Sequence, residues 1–169
     1  MNIVGQMKLF LEPRSIAIVG VSRHFGEDVP SVLANLINFG FSGEIYPVNP
    51  NADEILGVKT YHSIKEVPGK VDLAVIATPR DAVLPIVKDC LAKNIKALII
   101  LAQGFADGDR EGAALQQEIV ELARGKGARV IGPNTFGVAN AFTNLTSAFR
   151  PMKMEIAPIG LICQTGVFL

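Results

Sequence analysis

Five short segments of this chain gather the glycine, proline, amide and hydroxyl residues that can hold an anionic group. The first runs over residues 20–26 and contains Gly20, Val21, Ser22, Arg23 and Gly26. The others are Asn49 with Pro50, then Thr78, Pro79 and Arg80, then Gln103, Gly104 and Phe105, and last Gly132, Pro133 and Asn134. Successive backbone N–H groups in a glycine turn make an anion-binding concavity. Here Ser22 would add a hydroxyl donor and Arg23 a countercharge suited to phosphate. Arg23 reads equally well as a solvated loop charge. Each segment taken singly reads as a turn, which these residue types serve in any case. Their recurrence at the ends of successive apolar runs points to a site.

Those runs define the elements that must position the segments. Residues 16–19 are continuously apolar, as a strand buried on both faces requires, and stop at Gly20. Pro30 suits a first helical turn, Val32, Leu33, Leu36 and Ile37 fall at helical spacing, and Gly40 ends the helix. A second strand is expected over 44–49, one helical turn over 63–67 and a third strand over 71–77. A helix opening at Pro79, a strand over 96–101, a helix over 110–126 and a strand over 128–131 follow. Residues 7–11 predict a short lead-in helix broken by Pro13, and 159–163 read as a sixth apolar strand. Strands alternating with helices in this way predict an α/β fold with a parallel, doubly wound sheet. Ligands of such sheets bind in the crevice at the strand carboxyl ends, where all five segments fall.

Size and charge bound the function. The chain has 169 residues, formal net charge +0 and 49% hydrophobic content, enough for one α/β core and too little for two full domains. The neutral balance argues against nucleic acid as a partner. No apolar stretch is long enough to span a membrane, and the first residues lack the basic and apolar regions of a signal peptide. Cys90 and Cys163 each fall in an element expected to be buried, which fits reduced packing residues in a cytoplasmic protein. With His24 and His62 they show no metal-ligand spacing, so no metal site is assigned. With no Walker loop, G-x-x-x-x-G-K-[ST], in the chain, no residue is assigned a catalytic role.

A nicotinamide-binding fold is the first alternative, and the residues argue against it. G-x-G-x-x-G would follow the first strand, but Ser22 stands at the second glycine position. The second strand would end in an acid that holds a ribose, whereas this one ends in Val48, Asn49 and Pro50, with Glu44 at its far end.

Residues 13–22 and 45–58 resemble the CoA-binding domain of NDP-forming acyl-CoA synthetases, relatives of the succinyl-CoA synthetase alpha subunit. Residues 71–79, 132–138 and 163–166 extend the resemblance in order over nearly the whole chain. The resemblance implies a Rossmann-like domain over 1–150 that binds coenzyme A along its strand ends. It also implies the start of a second, flavodoxin-like ligase domain over 151–169. The family couples acyl-CoA cleavage to phosphorylation of a nucleoside diphosphate. Its phosphohistidine lies in that second domain and its nucleotide in an ATP-grasp domain or subunit, so neither His24 nor His62 matches the phosphohistidine.

On this resemblance Val21, Ser22 and Arg23 would lie along the CoA phosphates, with Asn49 and Pro50 on the adenosine side. Thr78, Pro79 and Arg80 would line the cleft, and Gln103, Gly104 and Asn134 would sit nearer the pantetheine arm. Asn134 could orient a thioester carbonyl or pin the Pro133 turn, and an Asn after Gly-Pro favours pinning. The turn over 164–166 would offer a helix N-terminus to phosphate. Phe25 and Val29 depart from the family's proline and glycine in the first loop, and Thr135 replaces a frequent cysteine. A stand-alone CoA- or acyl-CoA-binding regulatory module is the other reading.

Overall fold

A computed structural model describes residues 2–23, 31–150 and 153–163. Gly26 and Pro30 lie outside the described residues, as does the expected turn over 164–166. Helix α1 (Ile3–Leu11) is longer than the lead-in helix expected, because the Asn2 side chain accepts from the Gly5 N–H and caps its start. Strand β1 (Ser15–Val19) is buried throughout. Helix α2 (Val32–Phe39) is capped by Ser31 and ends at Gly40 in the left-handed conformation. Strand β2 (Glu44–Val48) follows, then a hairpin of β3 (Glu54–Ile55) and β4 (Val58–Lys59), and a single 3-10 turn over Ile64–Glu66. Strand β5 (Leu73–Ile76), α3 (Arg80–Ala92), β6 (Ala97–Ile100), α4 (Arg110–Gly125) and β7 (Arg129–Ile131) complete the alternation. A second hairpin, β8 (Ala139–Asn140) with β9 (Leu145–Thr146), closes the described fold.

The main sheet has five strands in the order β2-β1-β5-β6-β7, and every neighbouring pair is parallel. Parallel pairing puts all the carboxyl ends on one edge. The chain adds β2 on one side of β1, then returns to lay β5 on the other. The crevice between β1 and β5 is therefore where the order reverses, the place where doubly wound sheets bind ligands.

The apolar runs resolve into two faces, because successive side chains in a strand point to opposite sides. Ala17, Val19, Ala74, Ile76, Leu98 and Ile100 pack under α3 and α4, against Val83, Val87 and Ile119. Ile16, Ile18, Leu73, Val75 and Ile99 pack under α1 and α2, against Phe10, Leu33 and Leu36, with Leu145 of β9 beside them. Cys90 is in the first of these clusters, where burial pushes its thiol up to about 12, which makes it an inert packing residue.

The expected sixth strand is a correction. Residues 159–163 form no strand, and Ile159, Leu161 and Ile162 are exposed at 81%, 70% and 101%. Cys163 is exposed with them, against the buried position expected. An apolar run becomes a strand only when a neighbour supplies the other half of its hydrogen bonds, and among the described residues no strand pairs with this one.

Candidate functional site

A cleft of about 300 Å³ opens at the reversal point. Its walls come from the residues after β1 (Gly20, Val21, Ser22), the start of α2 (Ser31, Val32, Leu33) and the residues after β5 (Ala77, Thr78). The residues after β6 (Leu101, Ala102) and Phe149, beyond β9, complete it.

Gly20 makes the cleft possible. Its φ is +92°, and a Cβ there would lie 2.6 Å from Thr78 Cγ2 and 2.9 Å from the Ala77 carbonyl oxygen. Glycine is thus required both by backbone conformation and by the approach of the β5 end. The Gly20 N–H donates to the Val48 carbonyl at 3.0 Å, which ties the turn to the β2 end.

Asn49 holds the same loop from the side. Its Nδ2 donates to the Val21 carbonyl at 2.7 Å, and its Oδ1 accepts from the Asn51 N–H at 2.8 Å. Both ends of the amide are thus engaged in shaping the loop, and the exposed Pro50 continues the turn. Arg23 is exposed, and Nη1 reaches the Asn51 carbonyl at only 3.5 Å. Its guanidinium therefore lies toward the β2 end with most of its donor capacity unspent on that contact.

Thr78 lines the cleft, and its Oγ1 is buried without a hydrogen-bond partner among the described residues. A buried, unpaired hydroxyl costs stability. Thr78→Val keeps the shape and deletes the hydroxyl. Urea denaturation should show unchanged stability or a gain of up to about 1 kcal/mol. A clear loss of stability would mean the hydroxyl is partnered in solution.

Three of the expected site residues meet in a separate cluster on the same edge. Arg80 Nη1 donates to the Gly104 carbonyl at 2.7 Å and to Asp109 Oδ2 at 2.8 Å. The hydrogen bond from Arg80 holds the Asp109 carboxyl below its usual range, and the same bond holds the guanidinium pKa up. Asp107 accepts from the Gly104 and Phe105 N–H groups, which hold its carboxyl low, and from Asn134 Nδ2 at 3.1 Å. The Asn134 N–H also donates to the Ala102 carbonyl at 2.8 Å. Asn134 thus has the turn-pinning contacts its position after Gly-Pro favours. Arg80 clasps α3, the post-β6 loop and the start of α4, and its charge is neutralised locally. Pro79 is the exposed N-cap residue of α3, and Gln103 is exposed beside this clasp.

Gly20, Val21, Ser22 and Thr78 therefore wall the cleft, while Arg23, Asn49 and Pro50 gather at the β2 end and Arg80, Gly104 and Asn134 form the clasp. Ser31, Leu101, Ala102 and Phe149 were not singled out from the sequence. Ser31 had a detectable signal, a hydroxyl residue just before an apolar helical run. Phe149 had none, since it belongs to no periodic segment. Among the described residues no group of His, Cys, Asp or Glu is arranged to hold a metal, and no helix is long and apolar enough to cross a membrane. His62 pairs with Asp53 at 2.9 Å on an exposed surface outside the cleft wall. The lining hydroxyls, apolar side chains and glycine turn are the equipment of a binding site.

Comparison with known proteins decides the family. Residues 14–141 match the family described as CoA binding domain. The chain belongs to this family. The match takes in the whole main sheet and the first strand of the second hairpin. This CoA-binding domain is 41% identical over 158 residues to the ADP-forming acetate–CoA ligase II of Archaeoglobus fulgidus, covering 93% of this chain and 24% of the relative. It is 36% identical over 164 residues to the alpha subunit of the ADP-forming acetate–CoA ligase I of Pyrococcus furiosus, covering 95% and 36%. The dinucleotide-forming acetyl-coenzyme A synthetase 1 of Ca. Korarchaeum cryptofilum, solved in complex with phosphate and ADP, superposes with a TM-score of 0.74 at 38% identity, covering 85% of this chain and 30% of that one. The CoA-binding domain thus spans about a quarter to a third of the length of these relatives. The nicotinamide and stand-alone alternatives are not favoured, and the domain matches the N-terminal part of NDP-forming acetyl-CoA synthetases.

Proposed function

We propose that this domain holds coenzyme A for an NDP-forming acid–CoA ligase, which interconverts acyl-CoA, NDP and phosphate with acid, CoA and NTP. The observation that carries the reading is the glycine-walled cleft at the reversal between β1 and β5, in a chain matched along its length by such ligases. In this reading Ser22, the backbone of Val21 and Arg23 face the phosphates. Asn49 and Pro50 shape the adenosine side. Gln103, Gly104 and Asn134 border the pantetheine side. Residues 1–150 form the CoA-binding unit and 151–169 open a ligase domain. Phosphoryl transfer needs a metal-bound nucleotide held in line with its acceptor. That machinery would come from a further ligase domain and an ATP-grasp domain or subunit.

Calorimetric titration of the chain with CoA and dephospho-CoA tests the reading. Binding of CoA, with a matching rise in thermal stability, is the expected result. Absence of heat and of thermal shift at millimolar CoA would remove it.

Arg23→Ala should weaken CoA binding by about 1–3 kcal/mol, the range for a charge-assisted contact to phosphate. Unfolding should be unchanged, because the side chain is exposed. Equal affinity in the two proteins would leave Arg23 a solvated charge.

A further inference from the structure

The cleft wall has a polar part and an apolar part. Gly20 and Ser22, after β1, make one part of the wall polar, and Leu101 and Ala102, after β6, together with Phe149 supply apolar wall. Leu101 and Ala102 follow β6, with β5 between them and the turn after β1, while Phe149 follows β9 and is held from the α2 side. Two strand spacings, about 10 Å, separate the turn after β1 from the residues after β6.

Phe149 lies outside any helix or strand, and side chains hold its backbone and its ring. Asn35, a buried polar residue of α2, donates from Nδ2 to the carbonyls of Ala148 and Arg150, each at 2.8 Å. The backbone is thus gripped on both sides of Phe149. The Phe149 ring stacks on Phe136, which follows the Asn134 turn, with centroids 5.3 Å apart and planes inclined by 15°. Ser147 Oγ accepts from the Val138 N–H at 2.7 Å and joins the same segment to the residue just before β8. The aromatic wall is therefore set before a ligand arrives, which reduces the ordering cost of binding.

Resting on the CoA reading above, we infer that Phe149 is a positioning residue for the pantetheine arm. CoA is itself two-ended, with an anionic nucleotide half and a neutral arm of amides and methylenes. The polar turn after β1 suits the first, and the apolar wall of Leu101, Ala102 and Phe149 suits the second. With the phosphates near Ser22, an arm running past the β5 end would meet the Phe149 ring. Asn35 would act through Phe149 by fixing its backbone.

Three ligands and three proteins separate the outcomes. CoA, adenosine 3′,5′-bisphosphate and 4′-phosphopantetheine would be titrated by calorimetry into the wild type, Phe149→Ala and Phe149→Leu. Phe149→Ala should weaken CoA and phosphopantetheine roughly tenfold, as expected for loss of a half-buried aromatic contact. It should leave the bisphosphate within about twofold. Phe149→Leu should recover only part of the loss, leaving CoA and phosphopantetheine about threefold weaker and the bisphosphate unchanged, and that selective fall carries the test alone if a thermal scan shows Phe149→Ala to be unfolded. Unchanged CoA affinity in the folded variants, or a parallel fall for the bisphosphate, would overturn the inference while leaving CoA binding intact. A wild type that binds none of the three would overturn the CoA reading and this inference with it.

Discussion

Gly20→Ala should destabilise the fold by about 2–4 kcal/mol and abolish detectable CoA binding. Two costs add. An alanine at a φ of +92° sits in a region L residues rarely occupy. Its Cβ would also need the space of Thr78 Cγ2, at 2.6 Å, and of the Ala77 carbonyl, at 2.9 Å. Neither neighbour is the loose end of a long side chain. Relief would require the β1 and β5 ends to part, and those ends are the cleft. Urea denaturation would measure the first effect and calorimetry the second. Adding Thr78→Ser removes the methyl but not the carbonyl, so the double variant should recover only part of the stability. A Gly20→Ala protein with wild-type stability would refute the claim that this turn needs glycine.

Asn35→Ala should cost about 2–4 kcal/mol, because two hydrogen bonds disappear and the carbonyls they served lose a donor. Asn35→Asp should be at least as damaging. A carboxylate offers only acceptors and would face the two carbonyls with no proton to share. Chemical denaturation would give the magnitudes. Hydrogen exchange would show whether residues 145–150 loosen selectively, as expected if Asn35 is their clamp. Stability within about 0.5 kcal/mol of wild type for Asn35→Ala would mean that water replaces the amide at little cost.

Much of the fold was legible locally. The buried strands β1, β5 and β6 announce themselves as apolar runs, and α2 shows helical spacing that ends at Gly40, whose conformational freedom caps helices. The glycine turn after β1 was legible for the same reason, since a buried run stopping at Gly20 already implies a turn at a strand end. These are short-range consequences of periodicity, capping and backbone freedom. The two-residue strands β3, β4, β8 and β9 were missed because they are too short to show a period.

Tertiary structure alone decided which segments meet. Residues 159–163 and β6 carry similar apolar runs, yet among the described residues β6 has strand neighbours and 159–163 has none. Arg80 looked like a cleft residue and is paired with Asp109, while Phe149 drew no notice and lines the cleft. The Thr78 methyl that demands glycine at position 20, and the Asn35 amide that grips residues 148 and 150, lie far along the chain from what they control. The sequence by itself determined the alternation of elements, the glycine turn and the family, because these rest on local pattern and ordered motifs. The strand order, and with it the walls of the cleft, rests on contacts between distant residues, which form only when the sheet assembles.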